Sequence, residues 1–150
     1  MEIKIIDFEP KFTNEVKDLI FTTLKKVGIE PSKINNGTDE DLDHIPEIYK
    51  DRGHFWLAIV AGKLAGVVAV KPVSQEEARL KRLFVLHEFH GTGVGQELLN
   101  TALNFARVNG YKNITLGSSR IMTRSHRFYE KNGFKRTGEK EDKLQYKLIL

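Results

Sequence analysis

Apolar residues near the start of the chain follow two different periods, and each period predicts a different element. Residues 3–8 alternate apolar and polar positions, as a strand at the edge of a sheet does. Residues 13–27 repeat apolar side chains at helical spacing, and Gly28 follows as a helix C-cap. A loop and the entry to a helix are predicted at residues 29–42, and a short helix follows at residues 44–50.

The middle of the chain predicts three consecutive strands. Residues 55–60 and 64–70 are apolar runs on either side of a glycine-containing turn at residues 61–63, a combination that indicates a β-hairpin. The two aromatic residues that begin the first run are predicted to lie in the core. Residues 78–86 form the third run and lead into a glycine-rich stretch.

After that stretch the spacing becomes helical. Residues 94–106 predict a long amphipathic helix, residues 113–116 a short strand, and residues 123–132 a second helix. The last strands are predicted at residues 134–137 and 144–150. The order β-α-α-β-β-β-α-β-α-β-β predicts an α/β (α+β) fold, with a mixed sheet and helices on its faces.

Length and composition narrow the class of protein. The 150 residues contain no linker or repeat and are expected to form one domain over residues 1–150. The absence of cysteine excludes a disulfide framework, a thiolate zinc site and a cysteine nucleophile. The net charge of +4 favours an anionic partner, which leaves nucleic acid, a membrane surface and a phosphate-rich cofactor open.

Other patterns bear on location and partners. No apolar run approaches 18 residues and the first residues contain no long apolar segment, so we expect neither a signal peptide nor a membrane span. A cytoplasmic protein without a membrane partner is the expectation. Zinc-finger, RNA-recognition and helix-turn-helix patterns are absent, so we expect no nucleic-acid partner. The histidines show no metal-ligand spacing, so no metal is expected.

The glycine-rich stretch lies between the third strand and the long helix. Gly91, Gly93 and Gly95 occupy alternate positions, which lets the backbone bend tightly and approach a ligand. The first amides of the following helix have no partner within the helix and carry partial positive charge. The combination is suited to a pyrophosphate. The alternative is a plain strand-to-helix turn, and neither the Walker A pattern nor the dinucleotide GxGxxG pattern is present.

Residues 90–95, HGTGVG, resemble the signature of the GNAT superfamily of acyl-CoA N-acyltransferases, which has Arg or Gln first and glycine or alanine last. The resemblance extends over residues 42–134, where several further segments follow the order and spacing of the family. It implies a mostly antiparallel central sheet flanked by about four helices. It also implies that an acetyl group passes from acetyl-CoA to a primary amine by direct attack in a ternary complex.

The resemblance assigns a cofactor site. The pantetheine arm is expected to pair with main-chain groups of Phe84 and Val85. The first motif position holds His90 here, and because a neutral imidazole gives less charge to a phosphate, weaker or pH-sensitive binding is expected. His90 as a mere loop residue is the alternative. The residues expected at the pyrophosphate are His90, Gly91, Thr92, Gly93, Val94, Gly95 and Gln96.

Tyr129 is implied as the general acid, because Tyr129 followed by Gly133 and Phe134 resembles the closing motif of the family. A phenol near the sulfur can protonate the departing thiolate, which is worth on the order of 10²–10⁴-fold. The alternative is that Tyr129 only packs in the core. The family's Asn and Ala positions hold Met122 and Ser125 here, and Ser125 is expected to supply a hydroxyl to the cofactor.

No general base can be assigned. Some members of the family use a Glu at the position that Arg79 occupies here, and Glu76, Glu77, Asp43, His44 and Glu47 are the nearby titratable residues. A water chain is a further alternative.

The roles of two charged groups are likewise left with alternatives. An acidic cluster at residues 39–43 attracts a cationic amine or only stabilises a helix N-terminus. A basic group of Arg120, Arg124 and Arg127 meets the cofactor's 3′-phosphate, an acidic substrate or water.

The acceptor amine itself is not predicted beyond a small molecule or a peptide. The oligomeric state is not predicted either, and the family resemblance is compatible with a homodimer. The competing function is a non-catalytic acyl-CoA-binding or sensing module, which the missing base and His90 keep open.

Overall fold

A computed structural model describes residues 1–30 and 40–150, and within them seven strands form one sheet in the order β1-β2-β3-β4-β5-β7-β6. Most of the loop predicted at residues 29–42 lies outside the described residues. The strands are β1 (Ile3–Asp7), β2 (His54–Val60), β3 (Lys63–Pro72), β4 (Glu77–Val85), β5 (Asn113–Ser119), β6 (Lys135–Lys140) and β7 (Lys143–Ile149). The helices are α1 (Thr13–Lys26), α2 (Glu40–Asp43), α3 (Ile45–Ile48), α4 (Val94–Val108) and α5 (Thr123–Lys131).

The predicted hairpin joins β2 to β3. Val60 pairs with Lys63, and the two residues between them, Ala61 and Gly62, have φ angles of 50° and 78°. Positive φ at both central positions is the geometry of a two-residue turn whose twist matches that of the flanking strands. The prediction of a hairpin is confirmed, with Lys63 belonging to the second strand. The predicted edge strand is also confirmed, because β1 pairs with β2 at one end of the sheet.

Strands β4 and β5 are parallel and diverge. Among the described residues their pairing comprises three positions, from Glu77 opposite Asn113 to Arg79 opposite Thr115. Beyond Arg79, β4 continues to Val85 beside β3, while β5 continues to Ser119 beside β7. A gap therefore opens in the middle of the sheet between the carboxyl ends of β4 and β5.

Two hydrophobic cores cover the two faces of the sheet. Helix α4 and the aromatic residues around α5 pack on one face, and α1, α2 and α3 pack on the other. Trp56 belongs to the first core and Phe55 to the second, as expected for neighbours on a strand buried on both faces. The prediction that both are core residues is confirmed.

The fold class is confirmed, with small differences in the elements. A one-turn helix, α2, precedes α3, so the described order contains three α-helices between β1 and β2. Such a short helix has no repeat of apolar spacing to reveal it. Strand β5 reaches Ser119 instead of residue 116, because pairing with β7 continues through Gly117, Ser118 and Ser119.

Candidate active site

Strand β4 leads into helix α4 through a loop that depends on glycine. Gly91 and Gly93 have φ angles of 76° and 98°, a region that glycine occupies without a steric penalty. Gly93 is also the N-cap of α4. Gly95 lies inside the first turn, where an added Cβ would be 3.6 Å from the Val85 side chain and 3.8 Å from Phe128. The loop backbone is thus folded tightly against the end of β4 and the side of α5.

The same loop presents unpaired amides. The main-chain N–H groups of His90 and Thr92 donate to carbonyls of the preceding turn, at 3.0 and 3.4 Å. Within residues 1–30 and 40–150, five neighbouring N–H groups have no acceptor, and they stand at the positive end of a 15-residue helix. The five belong to Gly91, Gly93, Val94, Gly95 and Gln96.

A cavity of about 610 Å³ lies beside these amides. Arg124 and Arg127 of α5 also line it, and no ion pair involves either residue in the described part of the chain. Two of the predicted cofactor residues do not line it: the Val94 side chain is fully buried in the core, and the Thr92 hydroxyl donates to the Phe89 carbonyl. The predicted residues that do are Phe84, Val85, His90, Gly91, Gly93, Gly95, Gln96, Ser125 and Tyr129.

His90 folds back onto the strand before it. Its Nε2 lies 3.1 Å from the Val85 carbonyl oxygen, where a neutral imidazole with hydrogen on Nε2 donates. Burial lowers the pKa of His90, and the positive charge of Arg124 and a neighbouring His87 lower it further, against the hydrogen bond to Val85. The imidazole is therefore neutral at pH 7.

A second cavity, of about 530 Å³, occupies the gap between β4 and β5. Its wall includes Arg79 to Phe84 on one side and Leu116 to Ser119 on the other. Six residues line both cavities, so the two spaces meet there. The shared residues are Leu83, Phe84, Ile121, Met122, Ser125 and Tyr129.

Tyr129 is both a packed aromatic and a free hydroxyl. Its ring packs against Phe128, Phe134 and Tyr146, with centroids 5.7, 5.6 and 6.2 Å away, and the residue is 7% exposed. Among the described residues the hydroxyl has no hydrogen-bond partner, although it stands where the two cavities meet. Burial raises the pKa of Tyr129, so the phenol stays protonated at neutral pH.

The loop and Tyr129 belong to a longer match with a known domain. The profile of the acetyltransferase (GNAT) domain matches residues 51–136, more than half of the chain. The chain belongs to the GNAT family of acetyltransferases. The matched segment runs from just before β2 into β6 and contains residues 90–96 and Tyr129, which confirms the family that the sequence motifs indicated.

Solved structures confirm the GNAT fold. A GNAT-family acetyltransferase from Staphylococcus aureus Mu50 superposes with a TM-score of 0.89 at 23% identity, covering 99% of both chains. PaiA N-acetyltransferase from Thermoplasma acidophilum, solved in complex with coenzyme A, has a TM-score of 0.79 at 20% identity over 100% of both chains.

In sequence, N-acetylaspartate synthetase of Danio rerio is 34% identical over 89 residues, which are 59% of this GNAT chain and 32% of that protein. The chain therefore spans about a third of the length of that relative.

The candidate bases of this GNAT chain are occupied or distant. Asp43 pairs with Lys17 and Glu76 with Lys112, and Glu77 accepts a hydrogen bond from Thr115 at 2.9 Å. His44 and Glu47 line neither cavity. Within the described residues, the carboxylates on the second cavity are those of Glu30 and Asp142, both at exposed positions. The base therefore stays unassigned.

The acidic cluster is engaged within the protein where it is described. The Asp41 carboxylate accepts hydrogen bonds from Arg82 at 2.9 and 2.5 Å and from the Tyr49 hydroxyl at 2.8 Å. Burial raises the pKa of Asp41, but the hydrogen bonds and charge of Arg82 outweigh it and hold that pKa below the ordinary value. With Asp43 paired to Lys17, these two carboxylates serve the protein's own cations. Asp39 lies outside the described residues.

Arg82 is a site residue that sequence reasoning missed. Residues Arg82 and Leu83 of β4 lie opposite the single residue Val68 of β3, so β4 bulges, and Arg82 has a φ of 57°. The bulge turns β4 at the point where it enters both cavities. An arginine in the left-handed region carries no sequence signal, since that conformation favours glycine or asparagine.

No described group of three or more histidine or acidic side chains is placed to hold a metal ion. Within the same residues, the helices are all too short or too polar to cross a bilayer.

Proposed function

We propose that this GNAT chain transfers an acetyl group from acetyl-CoA to a primary amine. One observation carries the proposal. The Tyr129 hydroxyl, which has no hydrogen-bond partner among the described residues, stands where a cavity lined by main-chain amides meets a cavity in the opened sheet. The first cavity supplies anion-binding groups for one substrate, and the second leaves room for another. The name of the Danio rerio relative, an N-acetylaspartate synthetase, supports an acetylated amine as the product.

The first cavity offers coenzyme A both anion-binding groups and an edge of strand β4. The five unpaired amides between Gly91 and Gln96 are suited to the pyrophosphate, since oriented N–H groups at a helix N-terminus bind phosphate. Beyond Arg79, the side of β4 that faces the gap has no partner strand in the described residues, which leaves main-chain groups near Phe84 and Val85 for the pantetheine arm. Arg124 and Arg127 supply positive charge to the remaining phosphate, and Ser125 a hydroxyl.

The chemistry then needs one attack and three proton transfers. The neutral amine attacks the thioester carbonyl carbon, which main-chain groups near Phe84 and Val85 polarise. A C–N bond forms, and the C–S bond breaks as the tetrahedral intermediate collapses. The thiolate takes the proton of the Tyr129 hydroxyl, and the amine gives up a proton to water. The phenolate recovers a proton from solvent, so the net products are the amide and free coenzyme A.

Tyr129 is a suitable acid because its environment keeps it protonated. Burial raises the pKa of the phenol, and the same burial destabilises the thiolate, so the proton moves between two groups that both prefer to be neutral. Aromatic packing on three sides fixes the ring. The core role and the acid role are therefore compatible, because the ring is packed and the hydroxyl has no hydrogen-bond partner in the described part of the chain.

A non-catalytic acyl-CoA-binding module is the second candidate, favoured by the absence of a carboxylate base beside Tyr129 among the described residues. Incubation with acetyl-CoA and a panel of primary amines, followed with a thiol-reactive dye, separates the two. Amine-dependent release of thiol supports the transferase. Saturable binding of acetyl-CoA without thiol release on any amine supports the binding module and contradicts the transferase.

A further inference from the structure

Three of the cations that line the second cavity have no acidic partner among the residues that the structure describes. Arg82 and Arg120 also line it, but they pair with Asp41 and Glu139. In the part of the chain that the structure describes, no ion pair involves Arg79, Lys81 or Lys143. The acids on this wall, Glu30 and Asp142, stand at exposed positions at the rim, whereas Arg79 and Lys81 are partly buried.

Arg79 is held in place by neutral groups. Its Nη1 donates to Thr115 Oγ1 at 3.2 Å and its Nη2 to Gln145 Oε1 at 3.0 Å. The guanidinium lies over Gly117, where an added Cβ would be 2.9 Å from Nη2, so the absence of a side chain there makes room for it. Burial lowers the pKa of Arg79, against the charge of Glu77. Because a guanidinium has five N–H donors, it keeps free donors for an anion.

Lys81 lies two residues further along β4 and therefore on the same side of the strand as Arg79. No hydrogen bond of its ammonium group is found among the described residues. Burial lowers the pKa of Lys81 to about 8, the charges of Arg82, Lys143 and Arg79 lower it too, and Asp41 raises it. Since Asp41 is already bound to Arg82, it does not neutralise this site. Like charges held together in a partly buried wall are relieved when an anion binds between them.

We propose that the acceptor amine carries a carboxylate, and that Arg79 and Lys81 bind this carboxylate while the amine points toward Tyr129. The inference rests on the proposed transferase function and names the substrate class of that site. Lys81 precedes Phe84 by three residues, a separation of at most roughly 10 Å, which is the length of a fully extended strand of that size. The amine and the carboxylate are therefore the two ends of one small molecule, such as an amino acid.

Matched pairs of amines test the substrate class. Glycine with glycinamide, alanine with alaninamide, and 4-aminobutyrate with its amide differ within each pair in their one carboxylate, and 1,4-diaminobutane supplies a dication. In every pair that reacts, kcat/KM from thiol release is expected to be at least about tenfold higher for the more acidic member, the size of one charged hydrogen bond. Preference for the amides or the diamine overturns this inference alone. If acetyl-CoA binds but none of the amines causes thiol release, the proposed function is overturned as well.

Charge-removing variants test the two residues. Lys81→Met is expected to raise KM for the acidic amine about tenfold to a hundredfold and to leave KM for its amide partner unchanged. Arg79→Gln is expected to do the same. Because no hydrogen bond of Lys81 is found within residues 1–30 and 40–150, Lys81→Met stands as the test if Arg79→Gln does not fold. Lys4→Met, which removes an exposed cation on the edge strand β1, is the control and is expected to change neither KM. Equal loss for both amines, or no loss in Lys81→Met, overturns the assignment.

Discussion

The Arg82 guanidinium and the Asp41 carboxylate connect the bulge of β4 to the helices that cover it. Arg82 Nε lies 2.9 Å from Asp41 Oδ2 and Nη2 lies 2.5 Å from Oδ1. The Arg82 side chain is buried and that of Asp41 is partly buried. Asp41 also accepts the Tyr49 hydroxyl. The pair therefore fixes α2 over the strand that lines both cavities.

Removing the carboxylate of this pair is expected to destabilise the protein. Asp41→Ala takes away two charged hydrogen bonds from a buried guanidinium, and we expect the free energy of unfolding to fall by about 3 kcal/mol. Urea denaturation measures the change.

Asp43→Ala is the matched control. It removes an exposed carboxylate of the same helix that pairs with Lys17, and a change of less than about 0.5 kcal/mol is expected because exposed pairs contribute little. Equal effects of Asp41→Ala and Asp43→Ala would show that the buried pair has no special role.

Loss of the Tyr129 hydroxyl is expected to slow acetyl transfer without unfolding the protein. Tyr129→Phe keeps the packed ring and removes the proposed proton donor, so kcat should fall on the order of 10²- to 10⁴-fold while the affinity for acetyl-CoA is kept. Because burial raises the pKa of Tyr129, wild-type kcat should show no decline due to its ionisation below about pH 10.

Tyr111→Phe controls for the loss of a buried phenol. The Tyr111 hydroxyl donates to the Arg52 carbonyl at 2.8 Å, and the residue lines neither cavity. Its kcat should match that of the wild type. An unchanged kcat in Tyr129→Phe would remove Tyr129 from the mechanism.

The elements that the sequence predicted are those with a local signal. Each of these signals lies within one continuous segment of the chain, and each predicted element is found in the structure. The signals are the alternation of residues 3–8, the turn at Ala61 and Gly62, and the helical spacing after Gly93. The glycines at 91 and 93 are also explained locally, because the backbone at each position has a positive φ that favours glycine.

The features that sequence reasoning missed depend on distant segments. Asp41 and Arg82 are 41 residues apart, and Arg79 meets Gln145 across 66 residues. Whether a cation has an acidic partner is decided by such contacts, so the sequence does not show that Lys81 lacks an ion pair within the described part of the chain. The divergence of β4 and β5 is likewise a property of the sheet, because it depends on where pairing stops after Arg79 and Thr115.

Protonation of His90 is expected to affect cofactor binding only in acid. Burial, the largest cause, lowers the pKa of His90 below its ordinary value of 6.5, so the ring is neutral at pH 7 and gains charge only below about pH 6.5. A positive imidazolium beside a phosphate strengthens binding.

A ratio of affinities isolates the effect of His90. The ratio of acetyl-CoA affinity between wild type and His90→Gln should be constant from pH 7 to 8 and rise as the pH falls below 6.5. Fluorescence or calorimetric titration across this range checks it, and a ratio that changes between pH 7 and 8 would contradict the assignment.

A comparison of two glycine variants distinguishes the effect of backbone strain from an effect on ligand binding. Gly93→Ala and Gly110→Ala both place a side chain at positive φ, with φ angles of 98° and 80° and no close contact for the new Cβ. Each should lose about 1–2 kcal/mol of stability, because the left-handed region is unfavourable for alanine.

Only Gly93→Ala is expected to weaken acetyl-CoA binding. Gly93 positions the amides at the N-terminus of α4, whereas Gly110 follows the C-terminus of that helix. Dissociation constants of both variants, measured below their melting temperatures, check this. Equal affinities would show that the loop backbone does not hold the ligand.

The central claim is that the amides of residues 91–96 bind the diphosphate of coenzyme A. Calorimetric titration of the folded wild-type protein with acetyl-CoA at moderate salt tests it most directly. We predict saturable heat, a rise in melting temperature, and retained binding of free coenzyme A, which carries the same diphosphate. A protein with a cooperative unfolding transition that gives neither heat nor a thermal shift with either ligand would contradict the account.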